Sequence, residues 1–300
     1  MVAEPIPSTG ELQDQGLTPL EPAWKAVWRR FKRNRAAVFG LVVLTLLYLM
    51  AIFAPVLATQ PLEFIDYSQK NRPPSLEHPF GTDQFGRDVW SRIVWGSRTS
   101  LTVGFVAAGV AVAVGTLVGG IAGYYGGSWL DIILMRFAEA VDSFPFFFLL
   151  IVVVSVVERS LFTIMLVIGL TSWPSLAMLV RGLVLSIRER DFVEASRALG
   201  ASDRRIMWKH VLPNTVAVII VSATLRIGYA ILYEAGLSFL GFGPPPPAAS
   251  WGKDIALGRE VLRQAWWVAT FPGLFITLTV LAFNFVGDGL RDALDPKMKR

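Results

Sequence analysis

The sequence predicts an all-α, polytopic membrane protein of six transmembrane helices with both ends in the cytoplasm. Three observations carry this. Of 300 residues, 53% are hydrophobic and only 17% charged, against roughly 25% charged in a soluble domain, so there is too little polar surface to cover a globule of this size. Six apolar runs are long enough to cross about 30 Å of hydrocarbon, which takes roughly 20 helical residues. Finally, with the N-terminus inside, 18 of the 28 Lys and Arg fall on the cytoplasmic side and nine outside, with Arg226 inside a span; this bias sets orientation.

Residues 1–23 are polar, proline-containing and without periodicity, which predicts a disordered cytoplasmic leader. Residues 24–80 hold span 1, at 36–59, and the start of an external loop. At about 24 residues this span exceeds a signal-peptide core of roughly 7 to 15, so it stays as an anchor. The external loop contains "HPFGTDQFGRDVWSR", where Gly81 and Gly86 permit tight turns, Asp88 can cap a helix and His78 reads as an exposed residue.

Residues 97–288 hold the other five spans. Span 2, at 99–124, carries Gly104, Gly109, Gly115, Gly119 and Gly123, the last three at the four-residue spacing that lets helices approach closely. Spans 3 and 4, at 137–157 and 160–180, contain Pro145 and Pro174; each removes a backbone donor, tolerable where neighbours satisfy the freed carbonyl. Arg136, Glu139 and Asp142 open span 3 at three-residue spacing and read as a helix-end ion network. Span 5, at 214–238, carries Arg226 and Glu234. The external loop from 241 to 264 opens with "GFGPPPP", extended by its prolines, and runs into a short surface helix with Trp266 and Trp267 at the interface. Span 6, at 265–287, contains Pro272, and residues 289–300 form a cytoplasmic tail.

Several chemistries are excluded. The chain has no cysteine, and its two histidines, His78 and His210, lie in different segments. Disulfides, thiolate sites and a histidine metal site are therefore not expected. The net charge of +5 belongs to cytoplasmic loops and does not indicate nucleic acid.

Between spans 4 and 5, "EASRALGASDRRIMWKHVLPN" reads as a soluble helical hairpin. Phe192, Ala195 and Leu199 recur at helical spacing, with Arg190, Glu194 and Arg197 on another face. Gly200 sits where a left-handed cap would end this helix, and Ser202 or Asp203 can cap the next. That second helix sets Ile206, Met207 and Val211 against Arg204, Arg205 and Lys209, and Pro213 suits the first turn of span 5. A DNA-reading helix-turn-helix has a similar outline, but membrane spans at both ends deny it a groove. Two readings remain: an interfacial loop on anionic lipid, or a docking element for a cytoplasmic protein.

Here the chain resembles a known family. Glu194-Ala195-Ser196, Gly200 and Leu212-Pro213 are similar to the EAA loop of membrane subunits of ATP-binding cassette importers, departing from it at Ser196, in place of alanine, and His210, in place of isoleucine. "HPFGTDQFGRD", "GYYGGSWLDIILMR", "TSWPSLAMLVRG", "EAGLSFLGFG", "SWG" and "NFVGDGLRDALDP", in this order, resemble the C-type permease of dipeptide, oligopeptide and nickel importers over nearly everything after residue 24.

The resemblance implies a type I importer permease fold in a bacterial or archaeal plasma membrane. It implies a transport subunit that is not an enzyme and binds no cofactor or metal, and that partners a second homologous permease, two cytoplasmic ATPase subunits that use ATP and Mg, and an extracytoplasmic binding protein. No G-x-x-x-x-G-K-[ST] phosphate loop is present. Glu194, Ala195, Ser196, Gly200, Leu212 and Pro213 would form the coupling loop, spanning about 188–213. Glu194 would either contact the ATPase or brace Arg190 and Arg197.

For the translocation path, Arg226, Tyr229 and Tyr233 lie on one face of span 5, followed by Glu234. The competing reading satisfies Arg226 and Glu234 within the bundle, against Glu139 or Asp142, or on the second permease. The "DSFPFFFLL" stretch resembles the oligopeptide branch most closely, so peptides are the expected substrate, with nickel complexes, glutathione and oligosaccharides as alternatives. A secondary transporter working without ATP is the alternative of a different class, though no convincing internal repeat supports it; a scaffolding subunit is a weaker third.

Overall fold

A computed structural model describes residues 23–158 and 160–294. Most of the expected leader and the end of the tail lie outside the described residues. Among the described residues the chain is helical, with one isolated antiparallel bridge between Thr82 and Asp88.

An amphipathic helix α1 (Ala23–Arg33) leads into span 1, α2 (Arg35–Ile52), whose start is capped by Asn34 accepting from Ala37 N at 3.1 Å. The short α3 (Ala54–Leu57) follows. Span 2, α4 (Val89–Tyr124), has 36 residues and runs about 54 Å. It starts ten residues before the apolar run because Arg92 and Arg98, which precede that run, are satisfied by tertiary partners. Arg92 pairs with buried Asp254, while the Arg98 guanidinium donates to Ala51 O at 2.6 Å and Ile52 O at 2.9 Å, holding the end of α2.

Spans 3 and 4 are each broken. α5 (Trp129–Asp142) and α6 (Phe146–Val156) meet at 87°, and α7 (Leu161–Thr171) and α8 (Pro174–Arg188) at 42°. Both breaks sit at the prolines: Pro145 and Pro174 have no N–H to donate to the preceding turn, so each stands at the start of a new helix, Pro145 at the N-cap of α6 and Pro174 in the first turn of α8. The spans expected over 137–157 and 160–180 are thus each a bent pair of helices. Pro272, by contrast, stays inside a continuous helix. Counting each bent pair as one span gives the six expected crossings.

After α8 come α9 (Asp191–Ala198) and α10 (Asp203–Ile206), a π-helical turn at Met207–Val211, and span 5 as α11 (Leu212–Phe239). The external helix α12 (Trp251–Glu260) and span 6, α13 (Trp267–Leu294), complete the fold. α4 is the central element, packing on α7, α8 and α11, while α13 joins α2, α11 and α12. The Gly115, Gly119 and Gly123 stripe faces α8; a Cβ at Gly119 would collide with the Ala177 backbone, so this approach requires glycine.

Three surface expectations are corrected. His78 is 3% exposed, its ring nitrogens 3.1 Å from Asp88 Oδ1 and Gln69 Oε1, because the loop folds over the cap of α4. Trp267 is buried and donates to Thr82 O at 3.1 Å, leaving Trp266 alone exposed. Helix α12 does not lie on the surface: Trp251 is fully buried and donates to Ile93 O at 3.0 Å.

Candidate coupling loop and translocation cavity

The cytoplasmic hairpin is built on a Schellman end. Gly200, at φ +80°, donates to Arg197 O at 2.9 Å and Ala201 N donates to Ser196 O at 3.1 Å, closing α9 and turning the chain into α10. Ser202 occupies the N-cap position of α10 without a side-chain cap bond.

The second half of the hairpin is not a separate helix, because α10, the π-turn and α11 run on as one span from Asp203 to Phe239. Pro213 has no N–H for Lys209 O, and the chain accommodates it with one wider turn in which Leu212 N donates to Met207 O. The Asn214 side chain donates to His210 O at 2.6 Å. The second half of the hairpin is therefore helically continuous with span 5.

Its inner side, Val193, Ile206 and Val211, is buried with Tyr124, Leu176, Val180, Val184 and Ile187. Its outer side carries Phe192, Ala195 and Leu199, exposed on α9, Leu199 at 88%, while exposed Trp208 borders an apolar groove with Val112 and Leu117 of α4 and Val216 of α11. In α9 the face that periodicity marked as apolar is thus the free one, whereas Ile206 and Val211 of the second half turn inward. Glu194 is exposed and makes no ion pair with Arg190 or Arg197, so the brace does not form. Ser196 donates to Phe192 O at 2.7 Å, and Leu212 approaches Gly120 of α4.

Two residues outside the EAA pattern hold the hairpin to the bundle. Tyr124 Oη donates to Asp203 Oδ1 at 2.6 Å, and Arg188 Nη1 donates to Tyr124 O at 2.8 Å. Alongside, Arg181 grips Asp131 of α5 through Nε and Nη2 at 2.5 and 2.7 Å. Tyr124 and Asp131 lie in the "GYYGGSWLDIILMR" stretch and Arg181 in "TSWPSLAMLVRG", yet nothing local in either announced a long-range partner.

A cavity of about 400 Å³ opens where the two broken spans converge on α11. Asp142 and Phe146 line it from the first break, Thr171, Ser172, Pro174 and Ser175 from the second, and Arg226, Tyr229 and Tyr233 from α11. Arg226 Nη1 donates to Ser172 O at 2.8 Å and Nη2 to Ser175 Oγ at 2.9 Å, stapling the α7–α8 bend. Neither Glu139 nor Asp142 pairs with it; Glu139 holds exposed Arg136 at 2.8 Å, and Asp142 stands apart from that pair.

Glu234, grouped with this face in the sequence, does not line the cavity. It turns about 100° from Tyr233 on the helix and is fully buried on the side toward α12. Its Oε1 accepts from Ser238 at 2.6 Å and its Oε2 from Ser100 at 3.3 Å, while Ser250 donates to Ser238 at 3.2 Å. These hydroxyls satisfy the carboxyl and tie α4, α11 and the start of α12 together. Among the described residues no cluster of three or more metal-ligating side chains exists.

The family model described as binding-protein-dependent transport system inner membrane component matches residues 115–300, and that described as N-terminal TM domain of oligopeptide transport permease C matches residues 23–74. The dipeptide transport system permease protein DppC of Alkalihalophilus pseudofirmus is 44% identical over 98% of this chain and 96% of its own. The glutathione transport system permease protein GsiD of Escherichia coli is 44% identical over 95% of this chain and 93% of its own. A chain from the inward-facing MetNI methionine ABC transporter superposes with TM-score 0.58 at 21% identity, covering 68% of this chain and 97% of that one, a likeness of fold. With its broken spans, its cytoplasmic hairpin and its full-length relatives, the chain belongs to the binding-protein-dependent transport system inner membrane components, multi-pass permeases of ATP-binding cassette importers whose ATP is hydrolysed by separate subunits.

Proposed function

We propose that this permease imports short peptides, pairing with a second homologous permease above two ATPase subunits and receiving substrate from an extracytoplasmic binding protein. The observation that carries the coupling role is the free apolar face of Phe192, Ala195 and Leu199 on a hairpin whose second half is continuous with α11. An exposed apolar patch on a rigid frame suits a protein cleft, and a displacement there is passed along α11 to Arg226, Tyr229 and Tyr233 in the cavity. Glu194, Ala195, Ser196 and Gly200 shape the docking turn, and Leu212 and Pro213 form its joint with the span.

Peptide as substrate is supported by relatives named for dipeptide and glutathione transport and by a cavity edged with both charges and hydroxyls. This chain itself holds no nucleotide in the reading; ATP and Mg belong to the partner ATPases. The test is purification of the permease complex followed by reconstitution in vesicles. A nucleotide-hydrolysing protein should co-purify, and peptide uptake should require ATP and the binding protein. Uptake by this chain alone without ATP would identify a secondary carrier, and a sugar bound to the associated binding protein would overturn the peptide assignment.

A further inference from the structure

Two opposite charges face the cavity, and neither is paired with an opposite charge among the described residues. Asp142 ends α5 at the 87° break and makes no ion pair or side-chain hydrogen bond among the described residues. The Arg226 guanidinium has no carboxylate within 4.0 Å among the described residues, and its Nε has no acceptor. Arg87, Arg92 and Arg181, by contrast, each hold an aspartate directly. Arg98 also binds carbonyls alone, but it is exposed, whereas Arg226 is half-buried at membrane depth, where an uncompensated charge is costly.

The remaining wall chemistry fits an amphoteric guest. Tyr229 and Tyr233 offer rings and hydroxyls beside Arg226, and Ser222 adds another hydroxyl. The volume of about 400 Å³ lies within the roughly 300 to 1,000 Å³ of small-molecule sites. A guanidinium is suited to a carboxylate by its planar fork, and a free aspartate to an ammonium.

We infer that the cavity takes a short peptide as a zwitterion, its terminal carboxylate on Arg226 and its terminal ammonium toward Asp142, so that the permease itself selects for free termini. This rests on the peptide-import reading. The rival account is that both charges are met by residues of the second permease.

The test uses the complete complex in proteoliposomes with its binding protein, loaded to equal measured occupancy with dialanine, its C-terminal amide or its N-acetyl form. Wild type should move dialanine at least tenfold faster than either blocked form. Arg226→Gln should bring the ratio of acid to amide within twofold, and Arg226→Lys, which keeps the charge but not the two-sided staple, should retain discrimination at a lower rate. Asp142→Asn should remove discrimination against the N-acetyl form while leaving that against the amide. The inference is overturned if wild type does not discriminate, or if Arg226→Gln slows acid and amide by one common factor. It is likewise overturned if both Arg226 variants fail to assemble, as a contact with the second permease would require. If wild type moves no peptide at all, the peptide-import reading itself fails.

Discussion

Replacing Gly200 by valine isolates the turn of the coupling hairpin from its packing. Gly200 sits at φ +80° with no atom within 4 Å of where a Cβ would stand, so a side chain meets open space and the penalty is conformational alone. A left-handed residue other than glycine costs about 1–2 kcal/mol, with β-branched residues at or above the upper end. Such a penalty reduces the population of the native turn by roughly 5- to 30-fold. The released strain would break the bonds from Gly200 N to Arg197 O and Ala201 N to Ser196 O, letting α9 swing relative to α10. The spans lie outside this turn, so Gly200→Val should assemble with its partners yet lose transport-coupled ATP hydrolysis. Asparagine tolerates the left-handed region, so Gly200→Asn should stay closest to wild type, with Gly200→Ala between. The assay is ATP hydrolysis stimulated by loaded binding protein, with subunit stoichiometry measured on the same preparation. Normal stimulated hydrolysis in Gly200→Val, or a loss that follows side-chain size and not left-handed tolerance, would refute the reasoning.

Two further outcomes concern stability. Asp254→Ala strands Arg92 in a site where both side chains are under 10% exposed; breaking such a pair should cost about 3–5 kcal/mol, read as a lowered thermal midpoint of the purified permease, and a shift worth under about 1 kcal/mol would remove the pair from the account of why α4 extends to Val89. Gly119→Val should separate α4 from α8, costing at least the roughly 1–3 kcal/mol of an overpacked contact, whereas Gly109→Ala, with open space around it, should be neutral or stabilise the helix by up to about 1 kcal/mol; equal effects at the two positions would sink the close-approach argument.

The sequence by itself determined what depends on composition and local geometry. Hydropathy places six crossings because hydrocarbon admits only long apolar helices. Asp88 as a cap and Gly200 as a left-handed helix end were legible because each requirement lies within a turn or two of the residue itself. The hairpin's role, by contrast, was suggested by its resemblance to the EAA loop, of which only the Gly200 turn is a local physical requirement.

Tertiary structure decided whatever rests on partners distant in the chain. His78 and Trp267 are buried by contacts with the segment around Thr82 and Asp88, and the helical extension at Arg92 exists because Asp254 stands 162 residues away. Tyr124 and Asp203 join the hairpin to α4 across 79 residues with no local pattern to betray them. The same holds for the cavity. Hydropathy sees proline as a tolerated interruption, and only packing turns Pro145 and Pro174 into bends that bring Asp142 to Arg226's cavity and leave Glu234 among serines on the other side of the helix. A helix's period tells which residues share a face; what that face meets is set by the elements packed against it.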